Sequence, residues 1–120
     1  MKLIGSKTEQ EVREQLMVSN KSLFEKEERR RLLDVLHRNF PGLETAYILH
    51  WIPEQEEDFY KILINDSLIA DIELNRINQD TVPTIKSMPL SQYKVGLSKI
   101  NQIKLAVAID LARKDLNKAK

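Results

Sequence analysis

The sequence contains no cysteine and only three glycines, and these absences exclude several kinds of chemistry. Without cysteine there is no disulfide framework, no thiolate nucleophile and no cysteine metal site. Gly5, Gly42 and Gly96 are isolated from one another, so the chain has no glycine-rich phosphate-binding loop. The G-x-S-x-G motif of serine hydrolases is missing as well. Most signatures of nucleophilic catalysis and nucleotide binding are therefore absent.

Long hydrophobic runs are also missing. The N-terminal stretch MKLIGSKTEQEV has an apolar run too short for a signal-peptide core, and no segment approaches the ~18 apolar residues of a membrane span. We therefore expect a soluble cytoplasmic protein that does not enter a membrane. The 120 residues are 42% hydrophobic and 31% charged, which is ordinary globular composition, and this length predicts one domain over residues 1–120.

The net charge of +1 conceals an uneven distribution along the chain. Residues 1–40 carry a net charge of +2, residues 41–80 a net charge of −7, and residues 81–120 a net charge of +6. The middle third has nine acidic side chains and only two basic ones, Lys61 and Arg76. Such an asymmetry bears on the choice of binding partner rather than on the fold.

Helical patterns occupy both ends of the chain. Ser6 or Thr8, each with glutamate three residues later, predicts the start of a first helix, and residues 20–22 predict its end. Ser22 with Glu25 predicts a second helix over residues 23–39, which Pro41 and Gly42 follow. A last helix follows Ser98, and its wide apolar face indicates that it lies across a sheet.

The middle of the chain has the pattern of strands. Residues 45–52, 59–65 and 68–75 are rich in β-branched, aromatic and alternating apolar residues. Short connections between them predict an antiparallel meander, and residues 84–88 are compatible with a short fourth strand at its edge. The expected fold is α+β, with a three-stranded meander, two N-terminal helices and one long C-terminal helix packed on one face of the sheet.

The most distinctive segment is HWIPEQEEDFYKILIND, residues 50–66. Acidic side chains beside aromatic ones are typical of surfaces that capture a basic protein, because the charges steer the encounter and the aromatic side chains anchor the complex. The acids of this segment join two more on the outer face of the third predicted strand. The candidate partner-binding residues are Trp51, Glu54, Glu56, Glu57, Asp58, Asp71 and Glu73. The competing interpretation is that these acids are only solvated and that Trp51 is a core residue.

Two other hypotheses use different residues. The order of helix, three strands and helix resembles the core of restriction-endonuclease-like nucleases, in which two carboxylates hold Mg²⁺ and a lysine steadies the attacking water. Asp58 or Asp66 with Asp71 and Glu73 matches the acids of that motif, but Asn75 stands at the lysine position. The basic C-terminal helix predicts, as a further alternative, a nucleic-acid-binding protein.

In size, charge asymmetry and element order the chain resembles the general type of small cytoplasmic immunity proteins that neutralise bacterial toxins. That resemblance implies a non-enzymatic inhibitor that binds a basic, nuclease-like toxin through an acidic sheet edge. We accordingly predict a protein-interaction module without catalytic residues, metal or cofactor. The apolar side chains on both faces of residues 59–65 leave a homodimer open.

Overall fold

The computed structural model describes residues 2–118, and a four-stranded sheet lies at its centre. A long N-terminal helix, α1 (Lys7–Glu25), leads through a short 3₁₀ turn (Glu27–Arg29) into α2 (Arg30–Asn39). Four strands follow: β1 (Ala46–Pro53), β2 (Glu57–Ile64), β3 (Leu68–Asn75) and β4 (Thr84–Pro89). A short helix, α3 (Leu90–Tyr93), and the long α4 (Lys99–Lys118) complete the described chain. None of these helices is long and apolar enough to cross a membrane.

The strands form an antiparallel meander in the order β1-β2-β3-β4. Because each strand pairs with the next along the chain, the β1–β2 loop and the β3–β4 loop lie at the same end of the sheet. The predicted α+β class and meander are confirmed. The fourth strand, which the sequence left open, is present and pairs with β3 from Leu68–Pro89 to Glu73–Thr84.

The N-terminal helix begins where the sequence predicted but continues past its predicted end. The Ser6 hydroxyl accepts a hydrogen bond from the Glu9 N–H, and the Glu9 carboxylate accepts one from the Ser6 N–H, which completes a capping box. The predicted break at residues 20–22 is wrong, since α1 runs on to Glu25 and the chain turns at Lys26. The predicted cap at Ser22 therefore lies inside the helix, and α2 begins only at Arg30.

The continuation of α1 has a physical cause, because its polar residues bond to the edge strand β1. The Asn20 amide donates to the carbonyl oxygen of Ala46 at 2.9 Å, and the Ile48 N–H donates to the Ser19 hydroxyl at 3.3 Å. These bonds satisfy backbone groups that an edge strand would otherwise expose. Asn20 and its neighbours thus cover the edge of the sheet instead of ending a helix.

Helices cover both faces of the sheet, which differs from the expectation of one covered face. On one face, called here the α4 side, α1 and α4 pack on Tyr47, Leu49, Leu63 and Ile69. On the opposite face, the α2 side, the α2 residues Leu32, Val35 and Leu36 pack on a second set of strand residues. That second set is Ala46, Tyr60, Ile62, Ile64, Ala70, Ile72 and Leu74. Leu63 on one face of β2 and Tyr60, Ile62 and Ile64 on the other are thus buried by helices of the same chain.

A β-bulge in β1 decides which side chains reach each face. The pairing of β1 with β2 shifts between Ile48, opposite Ile62, and His50, opposite Lys61, so that Leu49 is the extra residue. Without it Trp51 would share the α4 side with Tyr47 and Leu49, because side chains alternate along a strand. With the bulge, Trp51 lies opposite Tyr60 on the α2 side.

Candidate functional site

The end of the sheet that carries the β1–β2 and β3–β4 loops, called here the loop end, contains most of the predicted binding residues. The β1–β2 loop is short, and the Glu54 N–H donates to the Glu57 carbonyl oxygen at 2.7 Å to close it. The β3–β4 loop, residues 76–83, is longer and lies beside it. Both loops are therefore positioned directly by the strands of the meander.

Arg76 joins the two loops. Its backbone N–H donates to the carbonyl oxygen of Glu56 at 2.8 Å, and its guanidinium donates to the carbonyl oxygen of Glu54. The same guanidinium pairs with the carboxylate of Asp58 at 3.0 Å. The backbone N–H and the planar guanidinium of Arg76 thus bond to two residues of the β1–β2 loop and to one residue of β2. These contacts tie the β1–β2 loop to the start of the β3–β4 loop.

Asp58 has a structural role at this end of the sheet. It is only 7% exposed, and its Oδ1 accepts hydrogen bonds from the Trp51 indole N–H and from Arg76, each at 3.0 Å. A buried carboxylate with two donors, one of which is its ion-pair partner Arg76, is largely neutralised locally. Asp58 belongs to the sequence-predicted set, but it supports the loop end from inside.

Trp51 forms the centre of an aromatic stack on the α2 side. Its ring stacks on Tyr60 with centroids 6.4 Å apart, and the guanidinium of Arg29 lies 4.6 Å from the Trp51 centroid. Arg29 also donates to the Tyr60 hydroxyl, and burial raises the pKa of that phenol. Trp51 remains 48% exposed, so the stack fixes its orientation while leaving about half of its surface available for contact.

Asp71 and Glu73 lie on the opposite face from Trp51 and Asp58. They are two and four residues after Ile69 on β3, so their side chains share its face. They therefore lie on the α4 side, beyond the part that α4 covers. Asp71 pairs with Lys61 at 3.2 Å across the strands. Phe59 lies opposite Glu73 and so shares its face. Glu57 is two residues before Phe59 on β2 and therefore lies on this face as well. The seven predicted residues are therefore divided between two faces and a loop.

The uncovered part of the α4 side forms a depression of about 310 Å³. Ile52, which is 56% exposed, and Phe59 supply its apolar floor, and His50 lies at its edge. Burial lowers the pKa of His50, and the nearby Lys104 and Lys61 lower it further, which favours the neutral imidazole. Packing and two neighbouring lysines thus determine the environment of the His50 side chain.

Three acids remain at the β1–β2 loop: Glu54 and Glu56 on the loop itself and Glu57, the first residue of β2, which is counted with the loop below. Glu54 and Glu56 are exposed, and Glu57 is partly exposed. The loop end also carries Glu73 and, on the β3–β4 loop, Asp80. The bases nearby, Arg29, Arg31 and Arg76, are each engaged with aromatic, carbonyl or carboxylate groups of the chain. The exposed acids of the loop end are therefore grouped mainly at the β1–β2 loop.

The residues of the nuclease hypothesis are not brought together. Asp58 lies on the opposite face of the sheet from Asp71 and Glu73, and Asp66, in the β2–β3 turn, pairs with Arg113 at 3.5 Å. The Asn75 side chain accepts hydrogen bonds from the N–H groups of Ile77 and Asn78. Within residues 2–118 no group of three or more histidine or acidic side chains is arranged to hold a metal ion.

Several basic groups of the nucleic-acid hypothesis are paired inside the chain. On α4, Arg113 pairs with Asp66, Lys114 pairs with Asp110, and Lys104 donates to the carbonyl oxygen of Leu49. Lys120 lies outside the described residues. Charges that are already paired add little to the counterion release that drives binding to nucleic acids.

The sequence interpretation did not find two exposed apolar side chains on the β3–β4 loop. Ile77 is 72% exposed and Val82 is 83% exposed. The signal was present in the stretch RINQDTVP, where isolated branched residues stand among polar ones between two strands.

Comparisons of the chain with protein-family models, curated proteins and solved structures gave no match.

Proposed function

We propose that the chain is a non-enzymatic protein-interaction module that binds a basic protein at the loop end of its sheet. The observation that carries this proposal is the fixed β1–β2 loop, on which Glu54, Glu56 and Glu57 stand beside the exposed side chains of Trp51 and Ile52. Acids at the rim and apolar groups beside them are the two parts that a steered and anchored complex requires.

Rigidity of the loop end favours tight binding. Arg76 holds the β1–β2 loop, and Arg29 holds the Trp51 ring, so little conformational entropy is lost when a partner binds. Asp58 and Asp71 are paired inside the chain and act as support rather than as contact residues. The partner-contacting acids in this proposal are therefore Glu54, Glu56, Glu57 and Glu73.

The proposed partner class is a basic protein of the nuclease-like toxin type, and the chain would be its inhibitor. A nuclease cleft is lined with cations that bind phosphates, and a loop that carries three carboxylates offers complementary charges to such a cleft. Binding there would block substrate without any chemistry by the inhibitor. In this proposal the chain acts in the cytoplasm and protects the cell from the toxin.

Affinity capture from an extract of the source cells tests the proposal. Wild-type chain and the Glu54→Gln, Glu56→Gln, Glu57→Gln triple variant are immobilised at the same density and washed at low salt. We expect a basic protein that wild type retains and the triple variant loses, with elution between ~0.1 and ~0.5 M salt because steering charges are screened at those ionic strengths. The retained protein is then purified and its affinity for both chains is measured.

A matched control separates the loop from acidity in general. Glu11→Gln, Glu14→Gln, Glu25→Gln removes three acids from α1 and has the same net charge as the loop variant. Retention by this control together with loss by the loop variant supports the proposal. Equal retention by the wild type and the loop variant would show that the β1–β2 loop is not the docking surface.

A further inference from the structure

The β3–β4 loop is longer than its connection requires, and side-chain hydrogen bonds brace it internally. Eight residues, 76–83, join two adjacent antiparallel strands, whereas two to five residues are the usual length for such a connection. The Asn75 side chain accepts hydrogen bonds from the Ile77 and Asn78 N–H groups, and the Asn78 side chain accepts one from Asp80. The loop therefore has its own internal framework.

Arg31 of α2 holds this loop from outside. Its guanidinium donates to the carbonyl oxygens of Asn75 at 2.5 Å, Gln79 at 3.2 Å and Thr81 at 3.5 Å. One side chain thus gathers three carbonyl groups that are separated by up to six residues of chain. Arginine suits this task because its donors are arranged in a rigid plane, whereas lysine offers a single charged centre.

Two of the side chains that this framework presents to solvent are apolar. Ile77 and Val82 are among the most exposed large apolar residues of residues 2–118, and both are branched at Cβ, so each has few rotamers to lose. Exposed apolar side chains on a hydrogen-bonded loop are good anchors, because a braced backbone reduces the entropy that is lost on binding.

We propose that the β3–β4 loop is the apolar anchor of the docking surface, inserting Ile77 and Val82 into the basic partner, and that Arg31 is the positioning residue for this loop. This inference rests on the proposed function and adds the residues that hold the partner after the acids have attracted it. Arg76 links the anchor loop to the acidic β1–β2 loop, so both contact the same partner.

The chemistry of the partner segment follows from the two loops. Apolar Ile77 and Val82 require an apolar recess or side chain opposite them, and the carboxylates Glu54, Glu56 and Glu57 require lysine or arginine nearby. The segment that fits is an apolar residue flanked by cationic ones. Peptides with that composition are a suitable probe, since they can be obtained without knowing the natural partner.

A displayed library of random 12-residue peptides, selected on the wild-type chain, supplies that probe. We expect enrichment of peptides with an apolar residue flanked by Lys or Arg. The Ile77→Ser, Val82→Ser variant should bind them ~10-fold or more weakly, which is the loss typical of removing anchor residues. The control Val18→Ser, Val95→Ser removes two side chains that are 68% and 80% exposed on α1 and after α3, and it should bind as wild type does.

The outcomes separate this inference from the proposed function. Selected peptides that bind the Ile77→Ser, Val82→Ser variant as tightly as wild type, but lose affinity for the Gln triple variant of the β1–β2 loop, overturn the anchor and leave the acidic surface standing. Peptides insensitive to both variants, or no enrichment at all, contradict both proposals.

The positioning role of Arg31 has its own readout. Arg31→Lys keeps the charge but loses the fork that bonds several carbonyl oxygens, so amide exchange in residues 76–82 should become faster and peptide affinity should fall several-fold. Exchange in β2 and β3 should not change. Unchanged exchange and unchanged affinity in Arg31→Lys would overturn the positioning role.

Discussion

The Asp58→Ala variant offers a sharp test of the claim that Asp58 is structural. The carboxylate is almost fully buried and accepts one charge-assisted hydrogen bond from Arg76 and one from the Trp51 indole. A hydrogen bond to a charged group contributes ~1.5–3 kcal/mol, and a neutral donor ~0.5–1.5 kcal/mol. The Arg76 side chain is 38% exposed, which reduces the first contribution through solvent screening. We expect a loss of about 2 kcal/mol in the free energy of unfolding.

Urea unfolding at pH 7, followed by Trp51 fluorescence, measures this loss. With a slope of ~1–3 kcal/mol per molar urea, a change of about 2 kcal/mol moves the midpoint by ~1 M. Asp58→Asn keeps an acceptor for the indole and should lose about half as much. Glu56→Ala removes an exposed acid two residues away and should stay within ~0.5 kcal/mol of wild type. If Asp58→Ala and Glu56→Ala had equal midpoints, Asp58 would be a surface residue and our description of the loop end would be wrong.

Three further predictions concern the framework. Asn20→Ala removes the amide that bonds to β1 and should lower the free energy of unfolding by about 1 kcal/mol in urea titration; an unchanged midpoint would mean that the edge of β1 needs no cover. Burial and then Asp115 raise the pKa of Tyr47, so Asp115→Asn should lower that pKa in an absorbance titration, and an unchanged pKa would contradict the contact. The hydrogen bond from the Ser6 N–H lowers the pKa of Glu9. The ionised carboxylate therefore stabilises the fold above the ordinary pKa of glutamate, and this stabilisation is lost as the pH falls through the lowered pKa. Thermal melts as a function of pH should show that Glu9→Gln removes this loss at low pH and that Glu11→Gln does not.

The sequence predicted which segments form helices and strands better than it predicted what those segments contact in the fold. Period-two alternation in Leu68–Asn75 and the capping box at Ser6 are local signals, and both correspond to observed elements. The role of Asn20 could not be read in the same way, because its amide is satisfied by a strand 26 residues later. A residue that favours turns is tolerated in a helix when a tertiary hydrogen bond of its side chain offsets its low helix propensity.

The candidate site was only partly predictable for a similar reason. Glu54, Glu56 and Glu57 lie within four consecutive residues and remain together at the β1–β2 connection. The position of Trp51 depends on the bulge at Leu49, which reverses the faces of all later residues of β1 and has no clear signature in the sequence. The burial of Asp58 depends on Arg76, 18 residues away. Long-range pairing therefore separated supporting acids from exposed ones.

Mapping the bound face by NMR tests the central claim most directly. In ¹H–¹⁵N spectra of the chain, titrated with the basic protein retained in affinity capture, we predict that shifts concentrate at residues 51–57 and 76–83. Amides on the exposed side of α1, including Glu11, Glu14 and Val18, should be unaffected. Shifts confined to α1 or α4, with the loop end unchanged, would contradict the account.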